Sequence, residues 1–213
     1  MRESFLELLF PNRCFGCRVI GPVICNKCRK NWNPHLYIQQ LSGLKIYSGI
    51  YYSDTAKSIL LSAKESGIQV ADQLVLDALN HCVSRIPAIS LRNLTFIPVP
   101  SSNRSIRRRG RDFLFEITEN LASIYLANAV GALEITRRTF DQTKLDAINR
   151  KKNLLNAYKC SLTANQISKL KNVILIDDLV TTGSTLVEAH RALSAAGVHV
   201  TCAITACVAK PLR

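Results

Sequence analysis

The stretch 172–185 reads N-V-I-L-I-D-D-L-V-T-T-G-S-T and leaves few folds open. Consecutive aliphatics at 173–176 describe a strand buried on both faces, the habit of a parallel sheet covered by helices. Two adjacent carboxylates, Asp177 and Asp178, follow at its carboxyl end. A loop of hydroxyls and glycine then opens a helix at Ser184, which Gly197 stops. Backbone N–H groups of Thr181, Thr182, Gly183, Ser184 and Thr185 can converge at that helix N-terminus, where the helix dipole also favours an anion. Gly183 lets the backbone approach a phosphate closely. The carboxylates sit where open α/β sheets bind ligands, and can accept hydrogen bonds from two vicinal hydroxyls, as on a ribose. The chain contains neither G-x-x-x-x-G-K-[ST] nor G-x-G-x-x-G, which argues against a P-loop ATPase and a dinucleotide site.

The rest of the chain agrees with an α/β class. β-rich residues 44–53 precede a helix expected from Asp54, with Ser53 or Asp54 as its N-cap. A second helix is expected over 70–86, a buried strand over 94–100, a helix over 113–128 and a strand over 131–138. The last strand is expected from His199 onward. A short amphipathic helix is expected over 1–10, and a basic loop or helix over 141–156. Strands alternating with helices predict a mostly parallel sheet flanked by helices.

Of eight cysteines, four are clustered as C-F-G-C-R-V-I-G-P-V-I-C-N-K-C. Cys14 and Cys17 form one CxxC knuckle, Cys25 and Cys28 the other. Two knuckles complete a tetrahedral thiolate shell, which favours structural Zn2+ over an iron–sulfur cluster. So short a region cannot build a core, and metal binding would supply most of its folding energy. The remaining cysteines, Cys82, Cys160, Cys202 and Cys207, stand in apolar contexts and read as small hydrophobes.

The chain of 213 residues carries 28 Lys and Arg against 15 Asp and Glu, a net charge of +13. The excess is patchy. Arg13, Arg18, Lys27, Arg29 and Lys30 lie in an acid-free stretch, and Arg104, Arg107, Arg108, Arg109 and Arg111 face only Asp112. Residues 137–152 add six basic groups against two acids. Such patches suit phosphate-bearing partners. Phe15, Trp32 and Tyr37 are candidate stacking surfaces for unpaired bases, although small-core packing is the commoner use of such aromatics. No apolar run approaches the ~18 residues of a membrane span. Glu3, Glu7 and Pro11 interrupt any signal-peptide core, so the expected compartment is the cytoplasm.

VILIDDLVTTGST resembles the phosphoribosyl pyrophosphate (PRPP) motif of type I phosphoribosyltransferases. Together with the four-cysteine module it resembles the ComF family, competence-associated proteins that pair a zinc ribbon with such a domain. L-F-P-N-R-C-F-G-C matches that family's opening. I-P-V-P at 97–100 with Arg109 and Gly110, and Gln142, Leu145, Arg150 and Asn153 up to Tyr158, match further stretches. Arg111 and Asp112 depart from it, standing where the family carries Phe and Asn. The resemblance implies a zinc module over 1–42 and a phosphoribosyltransferase-like domain over 43–213. It implies that Asp177 and Asp178 hold the ribose hydroxyls of PRPP, directly or through Mg2+, and that residues 181–185 hold the 5′-phosphate. Pro100, Ser101 and Ser102 then look like the pyrophosphate loop, with Arg109 and Arg150 neutralising leaving-group charge. No residue stands out as a general base. Two functions follow as expectations. One is a PRPP-binding competence protein in DNA uptake, contacting single-stranded DNA and a DNA-uptake helicase. The other is an active transferase moving the phosphoribosyl group to a nitrogen nucleophile in nucleotide or salvage metabolism.

Overall fold

The computed structural model describes residues 11–86, 93–136 and 156–209. The helix expected over 1–10 and most of the basic segment 141–156 lie outside them, as do Gln142, Leu145, Arg150 and Asn153.

The elements run α1 (Asn26–Asn31), β1 (Tyr37–Leu41), β2 (Leu44–Tyr51), α2 (Asp54–Ser66), α3 (Gln69–Val83) and β3 (Thr95–Pro98). They continue α4 (Asn103–Arg109), α5 (Phe113–Ile124), β4 (Asn128–Ala129), β5 (Leu133–Ile135) and β6 (Tyr158–Cys160). The chain then forms α6 (Ala164–Ile167), β7 (Val173–Val180), α7 (Ser184–Ala195) and β8 (Val200–Val208). Six strands make one sheet in the order β1-β2-β8-β7-β3-β4. All neighbours in it are parallel except the hairpin β1–β2. β5 and β6 form a separate antiparallel pair, so the strand expected over 131–138 exists but stands apart from the main sheet.

The topology locates the ligand crevice. The connections β2→β3 and β3→β4 move towards the β4 edge, whereas β7→β8 moves towards the β1 edge. Right-handed crossovers therefore put α3 and α5 on one face and α7 on the other. Neighbouring strands β3 and β7 send their crossovers in opposite directions, and the gap beyond their carboxyl ends is the switch point. Pro98 pairs with Ile176, and the Val99 N–H donates to the Ile176 carbonyl at 2.9 Å, so the 100–102 loop leaves the sheet beside Asp177.

Local chemistry accounts for the element ends. The Ser53 side chain accepts from the Ala56 N–H as the N-cap of α2, and Gly67 closes it in the left-handed region. α5 stops at Ile124 rather than running to 128. Leu126 takes φ 50° and the Ala127 N–H reaches the Ala122 carbonyl at 2.9 Å, a Schellman turn made without glycine. That turn frees Asn128 and Ala129 to add a strand. The core is aliphatic, with Ile46, Ile59, Leu79, Phe96, Ile97, Ile174 and Ile204 among its fully buried side chains. Cys82, Cys202 and Cys207 are buried in it as expected, while Cys160 is half-buried.

Candidate functional site

At the N-terminal end, the four sulfurs of Cys14, Cys17, Cys25 and Cys28 lie within 4.8 Å of one another. The first knuckle is shaped by a small antiparallel bridge between Arg13 and Ile20. The second is shaped by α1, whose N-cap is Cys25 itself. Backbone donors already face the sulfurs, with the Cys25 N–H reaching Cys14 Sγ at 3.3 Å. Burial pushes the Cys14 thiol up, but N–H groups of Cys25, Cys17 and Gly16 outweigh it and hold the group down at about 6. A Cβ on Gly16 would lie 2.8 Å from Cys28 Sγ, so only glycine lets the backbone pass behind the cluster. The donor set and spacing fit a single thiophilic ion such as zinc. Phe15 and Trp32 are 2% and 3% exposed. Trp32 Nε1 donates to the Leu74 carbonyl of α3 at 3.0 Å. Neither ring is therefore available for stacking on bases, and Trp32 ties the cysteine segment to α3. Tyr37 is half-buried beside His35 and Tyr51.

At the switch point, Asp177 and Asp178 lie within β7 and are 9% and 7% exposed. The Asp178 N–H donates to Asp177 Oδ1 at 2.9 Å. Burial, then the neighbouring Asp178 charge, pushes the Asp177 carboxyl well above the usual range. Burial acts on Asp178 too, but the ammonium of Lys64 on α2 is ion-paired with Asp178 and holds its carboxyl below the usual range. Lys64 is the site residue that the sequence did not reveal, because 114 positions of chain separate it from its partner.

The loop 181–185 has the expected form. Gly183 takes φ 73° at the start of α7, and Thr182 Oγ1 and Ser184 Oγ are 2.9 Å apart. The first turn of α7 leaves N–H groups without intrahelical partners, and together with the hydroxyls these can receive a phosphate. A Cβ on Gly183 would lie 2.1 Å from Leu41 Cδ1, the movable end of a side chain from β1. Gly183→Ala should lower stability by about 1–3 kcal/mol through left-handed strain and this collision. Leu41→Ala in the same chain should relieve the collision alone, a non-additivity that urea titration of the single and double variants measures.

The structure corrects the second basic patch. Arg108 and Arg109 both bond Glu65 Oε1 at 2.8 Å. Arg111 pairs with Asp72 and with Glu116, each at 2.7 Å. Three of the five arginines there thus have acidic partners that lie far away in sequence. Arg104 and Arg107 are exposed on α4, with no ion-pair partner among the described residues. The Ser102 hydroxyl accepts from the Ser105 N–H as the N-cap of α4, while Pro100 and Ser101 remain half-buried beside β7. On the other side of Asp177, buried Glu188 holds Arg191 through two bonds of 2.8 and 2.7 Å. Arg191 in turn donates to the Tyr158 carbonyl at 3.1 Å, tying β6 to α7.

Residues 113–213 match the family model of the phosphoribosyl transferase domain. Over 104 residues the chain is 32% identical to competence protein F of Haemophilus influenzae, a match covering 48% of this chain and 45% of that protein. The chain thus matches somewhat less than half the length of that relative. The matched residues 113–213, just under half of the chain, contain β7 with its acidic pair and the glycine-bearing loop 181–185 at the switch point, so this half of the chain is similar to a phosphoribosyl transferase domain.

Proposed function

We propose that the chain is a PRPP-binding protein of competence type, with a structural zinc module and a basic surface that contacts single-stranded DNA during uptake. The observation that carries the ligand is the convergence of Asp177, Asp178 and loop 181–185 at the switch point. In this reading the acids take the ribose hydroxyls and Thr181, Thr182, Gly183, Ser184 and Thr185 take the 5′-phosphate. Pro100, Ser101, Ser102 and Arg109 take the pyrophosphate, with Arg150 assigned the same role by resemblance. Mg2+, when bound, would screen the pyrophosphate charge, as a hard cation shared with phosphate oxygens. Cys14, Cys17, Cys25 and Cys28 hold the zinc. The division into 1–42 and 43–213 belongs to this proposal, with β1, a strand of the sheet, lying at the join. Among the described residues no helix is long and apolar enough to cross a membrane. We place the protein in the cytoplasm, where a DNA-uptake helicase is a further candidate partner.

The second reading is an active phosphoribosyltransferase acting on a nitrogen nucleophile, favoured by the match to a transferase domain. Pyrophosphate release from PRPP, screened across nitrogen nucleophiles, separates the two. Release above the rate without acceptor supports the enzyme. PRPP binding without release supports the binding protein.

Support for the DNA contact is the cysteine module's surface, where Arg13, Arg18, Lys27, Arg29 and Lys30 are all exposed. Log affinity for single-stranded DNA should fall with log salt by about 0.7 for each phosphate neutralised. Replacing Lys27, Arg29 and Lys30 by Gln should flatten that slope and leave PRPP affinity unchanged. A gel-shift series with no binding at low salt removes the DNA reading.

A further inference from the structure

The carboxyl end of α2 reaches both halves of the candidate site through two consecutive residues. Lys64, with its side chain 25% exposed, is paired with Asp178. Glu65 accepts from Arg109, whose side chain is 15% exposed, and from the more exposed Arg108. Asp178 and Arg109, which would meet a ligand, therefore already have partners of opposite charge on one helix turn. Gly67 ends that helix in the left-handed region, so the chain turns away directly after the two charges are placed.

We propose that Lys64 and Glu65 are the site's own counter-ions, which a ligand must displace. They set its specificity against partial ligands, namely a free divalent cation and free pyrophosphate. A cation approaching Asp178 meets the Lys64 ammonium at short range, where like charges repel strongly in a poorly hydrated site. An anion approaching Arg109 competes with the Glu65 carboxylate for the same N–H donors. A ligand that brings hydroxyls, pyrophosphate and a metal together replaces both contacts at once. This inference rests on the assignment of the acids and arginines to one sugar pyrophosphate ligand.

The test uses the full chain, with Mn2+ and inorganic pyrophosphate as separate probes and no PRPP. Wild-type protein should show no saturable Mn2+ site at the acids by electron paramagnetic resonance. Lys64→Met should gain a saturable Mn2+ site of about one ion per chain, a gain that adding Asp178→Asn removes. Glu65→Gln, at a partly exposed position where folding is not at risk, should tighten pyrophosphate binding several-fold, and adding Arg109→Gln should remove the gain. Wild-type protein that binds Mn2+ at a site lost in Asp178→Asn overturns the proposal even if Lys64→Met fails to fold. So does a Glu65→Gln chain with unchanged pyrophosphate affinity. PRPP calorimetry on wild type separates this from the ligand assignment. If PRPP does not bind but both variants gain their probes, the ligand reading fails and the counter-ions stand. If PRPP binds and neither variant gains, the counter-ion proposal alone fails.

Discussion

Chelating the metal from purified protein should shift the emission of its single tryptophan, Trp32, to longer wavelength and release about one zinc per chain. Trp32 is buried, and its indole N–H is held by the Leu74 carbonyl at 3.0 Å, so its environment reports whether the cysteine segment is seated on α3. That segment contributes one six-residue helix and one isolated bridge. Structural zinc in comparable peptides contributes about 10–16 kcal/mol, more than such a segment can gain from burial alone. Loss of the ion should therefore unseat the whole segment. Far-ultraviolet circular dichroism should change little, because the six-stranded sheet lies elsewhere. Cys14→Ser/Cys28→Ser should behave like the chelated protein. A variant that kept full metal and an unshifted Trp32 emission would contradict the assignment of these four sulfurs.

Asp177→Asn/Asp178→Asn should weaken PRPP binding by about 100-fold or more, since each charge-assisted hydrogen bond contributes about 1.5–3 kcal/mol. Acids that served a ligand alone could be removed with little effect on stability. Lys64 changes that expectation. Without Asp178 its ammonium is left in a largely buried place with no partner, which should cost about 3 kcal/mol. Lys64→Met/Asp178→Asn should recover most of that loss, because both charges then leave together. Urea midpoints measure the stability effect and calorimetry the binding effect, and the two should separate cleanly: stability returns in this double variant, PRPP affinity does not.

Much of the architecture was legible because its strands are fully buried and its helices amphipathic. β7 opens on a run of four aliphatics and β8 is largely buried, and α2 announces itself by Ser53 at its cap and Gly67 at its end. β1 was not legible. It is a short edge strand whose two-residue turn uses Ser42 and Gly43 at φ 48° and 80° rather than the usual Asn-Gly signal. The end of α5 was hidden because Leu126 takes the place normally given to glycine. In the site, the acidic pair and loop 181–185 stand together in sequence and could be read there. Lys64 could not, since its ion pair with Asp178 joins α2 to β7 across 114 positions and leaves no local pattern. For the same reason the arginine run at 104–111 looked unmatched: Glu65 and Asp72 reach it through the fold. Trp32 illustrates the converse, its ring being buried where α3 offers its indole N–H a carbonyl partner.

Calorimetric titration of the wild-type chain with PRPP in the presence of Mg2+ tests the ligand assignment most directly. Saturable binding is expected at one site per chain, weakened by about 100-fold or more in Asp177→Asn/Asp178→Asn and untouched when Lys27, Arg29 and Lys30 are replaced by Gln. No saturable heat, or an affinity indifferent to the loss of both acids, would contradict it.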